Sequence, residues 1–207
     1  MSTQARSNAL ILALCISAFC VAMGLREQLN IWLGTGAAAL TALALLRFSS
    51  KPNGDGMWQV TNRNVLVGVG TGVAMSLATW GLYPVSGELI PQIHTEVPKL
   101  YALLRQTPGP VAAFPVLVLV VFAEERVWRE LAIDVFARAR PGARAVLLSA
   151  VVYTFPQIAF RSPLLVVVAL GCGLIWGALR LRTRGLVAPL LAHLTWDLLV
   201  FVLFPVA

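Results

Sequence analysis

The chain has 207 residues, of which 58% are hydrophobic and 12% charged, and its mean hydropathy is +0.81. Soluble domains carry about 25% charged residues, so this composition excludes an ordinary soluble domain and points to a polytopic membrane protein built as a single bundle. The net charge of +7 does not require a nucleic-acid partner, because the basic residues stand in short loops between apolar runs, where membrane topology puts them.

A first span is predicted over Asn8 to Leu25, behind Arg6. No clear small-x-small cleavage site follows and the next segments are also apolar, so it reads as a retained span rather than a signal peptide. The second span, Ile31 to Leu46, is short and rich in Ala and Gly. Arg47 to Asn64 is a turn-rich loop around Lys51-Pro-Asn-Gly-Asp-Gly56. Val65 to Val85 is the third span, and its Gly68, Gly70 and Gly72 predict close helix contact. In Ser86 to Pro110 the apolar Ile90, Ile93, Val97, Leu100, Tyr101 and Leu104 recur at helical spacing, with Glu96, Lys99 and Arg105 between them. That pattern predicts a short amphipathic helix in the membrane interface.

Residues 111–136 are the next helix. Its uncharged part, Val111 to Ala123, rises only ~20 Å against a bilayer core of ~30 Å. The charges Glu124, Glu125, Arg126, Arg129 and Glu130 therefore begin inside the membrane. Each charge at a helix centre costs roughly 2.5–3.5 kcal/mol on insertion scales, so this face must turn toward other helices or a water-filled cavity. Side chains four apart share a helix face, which pairs Glu125 with Arg129 and Arg126 with Glu130. Glu124 is left without a local cation. A desolvated carboxylate beside an indole suits a general acid/base.

Three spans follow. Ala145 to Phe160 carries Ser149, Tyr153 and Gln157 four apart on one face, Leu164 to Leu179 carries Gly171, Gly173 and Gly177, and Leu186 to Val206 carries His193 and Asp197. The predicted fold is thus all-α, a polytopic transmembrane bundle of about seven spans plus one interfacial amphipathic helix. Residues 1–110 supply the first spans and the interfacial helix, and residues 111–207 the functional core. Cys15, Cys20 and Cys172 lie within apolar segments without paired or metal-ligand spacing and read as small buried hydrophobes.

Counting basic residues on alternate sides sets the orientation. One side holds Arg6, Arg47, Lys51, Arg63, Arg138, Arg140, Arg144, Arg180, Arg182 and Arg184, and the other holds Arg26, Lys99, Arg105 and Arg161. Ten against four predicts a cytoplasmic amino terminus and an external carboxyl terminus. In that orientation Glu124 lies about 18 Å from the cytoplasmic end of its helix at Phe136, Gln157 about 20 Å from Arg144, Asp197 about 17 Å from Leu186 and His193 about 11 Å. Polar groups from three helices converge near mid-membrane. His193 and Asp197 are four apart, so the carboxylate is placed to orient the imidazole. A metal is not expected: the chain has two histidines, His94 falls in the outer loop, and zinc takes three or four nitrogen, sulfur or carboxylate ligands.

At these residues the chain resembles the CAAX-protease and bacteriocin-processing (CPBP, or Abi) family of intramembrane proteases. The family's Glu-Glu-x-x-x-Arg motif stands here as Glu124-Glu125-Arg126-Val127-Trp128-Arg129, and its His-x-x-x-Asn/Asp motif as His193-Leu-Thr-Trp-Asp197. The run Gly177-Ala-Leu-Arg-Leu-Arg-Thr-Arg-Gly185-Leu-Val-Ala-Pro189-Leu-Leu-Ala-His193 also looks like the family's approach to that histidine. The likeness covers about residues 111–200. The middle motif, Phe-x-x-x-His, aligns with Tyr153-Thr-Phe-Pro-Gln157, so the chain departs from the pattern by a glutamine in place of the second histidine.

The resemblance implies an intramembrane endopeptidase of glutamic type in a bacterial cytoplasmic membrane, acting on a membrane-associated peptide or protein, with membrane lipid as partner and no cofactor. Glu124 would activate water, Gln157, His193 and Asp197 would complete the catalytic set, and Glu125 with Arg129 would form a structural ion pair. Two other functions remain open from the sequence. One is a catalytically inactive scaffold or bacteriocin-immunity protein. The other is a proton-relaying transporter, for which no inverted repeat is visible.

Overall fold

The computed structural model describes residues 3–49 and 56–206, and within them it is all helical, with no strand. Most of the turn-rich stretch Lys51 to Gly56 lies outside the described residues. Helix α1 is Thr3–Gly24 and α2 is Ile31–Leu46. Asn30 starts α2, its side chain accepting from the backbone N–H groups of Trp32 and Leu33, as an N-cap residue should. Helix α3, Asn62–Leu89, is capped by Thr61 and contains Pro84. It is longer at both ends than the apolar run that predicts it. Helix α4 is Ile93–Leu104.

Helix α5 covers 114–137. It opens as α-helix over Phe114–Glu124, widens to π-helix over Glu125–Ala132, and closes as α-helix over Ile133–Ala137. Its start lies three residues later than the apolar run, because Pro115 takes the first turn, where a missing N–H costs nothing. Helix α6 is Ala143–Ala159, α7 is Pro163–Thr183 and α8 is Val187–Leu203. The last six residues of α8, Leu198–Leu203, are also π-helical.

Three helices, α1, α3 and α7, are long and apolar enough to cross a membrane, and α2, α6 and α8 are shorter apolar helices. Helix α5 is enclosed by the others. Its Ala123, Val127, Trp128, Leu131 and Ala132 join one apolar core with Phe19 of α1, Ala39 of α2, Tyr153 of α6, Trp176 of α7 and Ala192 of α8. The charged segment therefore turns inward, as its insertion cost requires.

Glycines set the closest approaches. A Cβ on Gly68 would stand 2.7 Å from the Ala188 carbonyl oxygen, and one on Gly72 would stand 2.6 Å from Thr195 Cβ, so α3 lies directly against α8. Gly173 and Gly177 do the same for α7 against Ala150 and Val146 of α6. Gly70 and Gly171 face open space, so the contact predicted for α3 uses Gly68 and Gly72 but not the glycine between them.

Two elements differ from the sequence prediction. Helix α6 is not continuous: it turns at Thr154 between Ala143–Tyr153 and Phe155–Ala159. Pro156 removes a backbone donor and restricts the residue before it, so Ser149, Tyr153 and Gln157 do not share one straight face. The amphipathic helix is shorter than Ser86 to Pro110 and buries Ile93, Val97 and Tyr101. It is fastened to the end of α8, for the Tyr101 hydroxyl donates to the Val200 carbonyl at 2.7 Å and accepts from the Val206 N–H at 3.3 Å.

Candidate active site

The two predicted i,i+4 pairs both form on α5. Arg126 bonds to Glu130 at its half-buried edge, and Arg129 Nη1 lies 3.5 Å from Glu125 Oε1 in the interior. Glu125 is 0% exposed, Arg129 2% and Glu124 8%. An isolated guanidinium would not be tolerated at such depth. Here it also lies over two aromatic faces, 4.6 Å from the Tyr153 centroid and 4.9 Å from that of Trp176, which adds cation–π attraction.

His193 reaches α5 from α8. Its Nδ1 is 2.9 Å from Glu125 Oε1, while Nε2 is 3.8 Å from Glu124 Oε2 and 3.5 Å from Asp197 Oδ2. Asp197 thus lies on the Nε2 side, and the carboxylate that bonds the other nitrogen is that of Glu125. This differs from the sequence expectation, which gave the orienting role to Asp197. The reason lies across the helices. Adjacent Glu124 and Glu125 both face the imidazole because the π-helix that starts at Glu125 winds more slowly than an α-helix and keeps consecutive side chains closer in direction. Such segments are rare and concentrate at functional sites.

Three further residues complete the arrangement. The Tyr153 hydroxyl donates to Glu124 Oε2 at 3.1 Å. Trp176 stacks on the His193 ring, with centroids 3.7 Å apart and planes 19° from parallel. Ser149 donates to the Trp128 carbonyl at 2.6 Å and so satisfies a backbone group of the π segment. Tyr153 and Ser149 are legible in the sequence only as members of a polar face, and Trp176 carries no signal at all, being one of six tryptophans.

A cavity of about 160 Å³ opens beside these groups. Glu124, Tyr153, Gln157, His193 and Asp197 all line it, whereas Glu125 and Arg129 do not. Apart from Thr35, the rest of its wall is apolar and includes Trp32 of α2, Leu100 and Leu104 of α4, Leu165 of α7 and Phe201 of α8. Trp32 is fixed there by its indole N–H, which donates to the carbonyls of Leu104 and Gln106. Gln157 is half-buried and makes no side-chain hydrogen bond among the described residues; its backbone N–H donates to Thr154. The structure thus gathers Glu124, His193 and Asp197 tightly and sets Gln157 on the same wall without bonding it to them. No group of three His, Cys, Asp or Glu side chains among the described residues is arranged to hold a metal ion.

An apolar chamber with a carboxylate, an imidazole and a second carboxylate on one wall can hold a water and a carbonyl away from bulk solvent. No curated protein and no solved structure gives a significant match. A family model described as type II CAAX prenyl endopeptidase Rce1-like matches residues 106–199, a range that holds both carboxylates of the Glu124-Glu125 pair, Gln157, His193 and Asp197. Its long apolar helices mark the chain as an integral membrane protein, and its residues 106–199 are similar to the Rce1-like, type II CAAX prenyl endopeptidase family of proteases.

Proposed function

We propose that the protein is an intramembrane endopeptidase that cleaves a membrane-associated peptide or protein with water activated by Glu124. The observation that carries this reading is the division of the charged residues: Glu124, His193 and Asp197 reach the cavity, while Glu125 and Arg129 stay behind its wall. In the reaction the water proton passes to Glu124 as the water oxygen bonds to the scissile carbonyl carbon. The charge that develops on the carbonyl oxygen is held by His193 and by the Gln157 amide, which donates two hydrogen bonds. Collapse breaks the C–N bond, and the proton on Glu124 moves to the leaving amine. Glu125, 2.9 Å from Nδ1 and backed by Arg129, keeps the imidazole turned to the chamber, and Asp197 lies 3.5 Å from Nε2 on the chamber side.

Residues 111–207 form the protease core in this reading. Seven helices cross a bacterial cytoplasmic membrane with the amino terminus inside, and α4 lies in the interface above the apolar end of the cavity. Lipid surrounds the bundle, and the apolar lining accepts the hydrophobic part of the substrate. The test is cleavage, by purified protein in vesicles, of a peptide that ends in a prenylated Cys-aliphatic-aliphatic-X sequence. Release of the terminal tripeptide by the wild type and none by Glu124→Gln is expected. Cleavage by Glu124→Gln at the wild-type rate would remove Glu124 from the chemistry.

A further inference from the structure

Glu124 has no cation four residues along its own helix, and the nearest guanidinium, Arg129, is paired with Glu125 at 3.5 Å. From other elements His193 Nε2 comes to 3.8 Å of Oε2, and the Tyr153 hydroxyl makes the hydrogen bond to that oxygen, at 3.1 Å. The tyrosine is held on several sides. Its ring lies 5.5 Å from that of Trp128 and 6.4 Å from that of Trp176, Arg129 sits over its face at 4.6 Å, and the backbone of α7 comes so close at Gly173 that a Cβ there would stand 3.3 Å from Tyr153 Cδ1. A buried phenol needs an acceptor for its O–H, and this ring is packed so that the acceptor is Glu124. Gln157 makes no such bond: it follows the break at Thr154 and has no side-chain hydrogen bond among the described residues.

We infer that Tyr153 is a positioning residue for Glu124, whose hydroxyl occupies Oε2 and leaves Oε1 to take the water. The inference rests on the reading of Glu124 as the base. The pattern that the chain resembles has phenylalanine at this position, so the hydroxyl belongs to this sequence and not to the motif. A carboxylate held by one strong donor keeps one orientation, and a base that keeps its orientation needs no reorganisation when the water reacts.

The experiment is Tyr153→Phe, which keeps the packed ring and removes one oxygen, compared with wild type and Glu124→Gln on the prenylated peptide and by infrared spectroscopy. We expect kcat to fall roughly 10- to 100-fold with KM and melting temperature unchanged. The carboxyl or carboxylate band that disappears in Glu124→Gln should shift in Tyr153→Phe. An unchanged kcat with an unmoved band, beside an inactive Glu124→Gln, overturns the role of Tyr153 and leaves Glu124 as base. Loss of activity accompanied by an equal loss of melting temperature also overturns it, since the hydroxyl would then serve packing alone. Full activity in Glu124→Gln fails the underlying reading instead, and the band still decides whether the hydroxyl and the carboxylate are bonded.

Discussion

Glu125 and Arg129 show how one pair of charges can serve a site without entering it. Neither lines the cavity, yet Glu125 bonds the imidazole that does. Removing one partner of a buried pair costs about 3–5 kcal/mol because the other charge is left uncompensated. Arg129→Ala should therefore lower the amount of folded protein recovered from membranes, whereas Glu124→Gln should accumulate normally and cleave nothing. Gel filtration of detergent extracts beside the peptide assay checks both. Gln157→Ala should lower the rate by roughly 10²–10³, the loss typical of one oxyanion donor. Gln157→His should stay active and cleavage should be insensitive to chelators, since a glutamine amide is a poor transition-metal ligand. A silent wild type beside an active Gln157→His would show instead that the glutamine has switched the enzyme off. The identities of Glu124, His193 and Asp197 as a group were legible in the sequence from spacing and depth. The bond from Tyr153 to Glu124 and the stack of Trp176 on His193 were not, because a hydrogen bond or a stack between helices far apart in the chain leaves no periodic mark.

Among the elements, boundaries followed capping residues and prolines more closely than hydropathy. Thr61 and Asn30 start helices at polar residues, and Pro156 breaks one that hydropathy runs through. The close approach of α3 to α8 gives a quantitative expectation. Gly72→Leu would drive a side chain into Thr195, where even a Cβ stands at 2.6 Å, and overpacking of this kind costs about 1–3 kcal/mol or more. Gly70→Leu, on the open side of the same helix, should be neutral. Comparing the thermal unfolding of the two variants tests whether α3 is seated as described. The π-helical segments were beyond the sequence, since the same residues at four-residue spacing satisfy an ordinary helix equally well.

At the scale of the whole molecule, composition and hydropathy carried the membrane class, the all-helical architecture and the inward-facing α5 directly. The number of crossings is harder, because α2 and α6 have 16 and 17 residues, near the lower limit for a span. Reporter fusions at Ala139 and Thr183 should report the cytoplasm and one after the last residue the exterior. A cytoplasmic carboxyl end would take one crossing away and separate the depths of Glu124 and His193.

The slow winding of α5 also makes length a variable in its own right. Over Glu125–Ala132 the chain holds more residues per turn than an α-helix, and a shortened segment would fit its neighbours only by rewinding. A residue of this segment advances less than the about 100° of an α-helical one, so loss of one position between Glu125 and Ala132 would swing one flank of the helix through close to a quarter turn. Glu124 would leave the imidazole, or Ile133 would leave its contacts with α6. The segment should therefore accept substitutions at half-buried Arg126 more readily than deletion of any one position, a contrast that a combined deletion and substitution scan of these eight residues would expose.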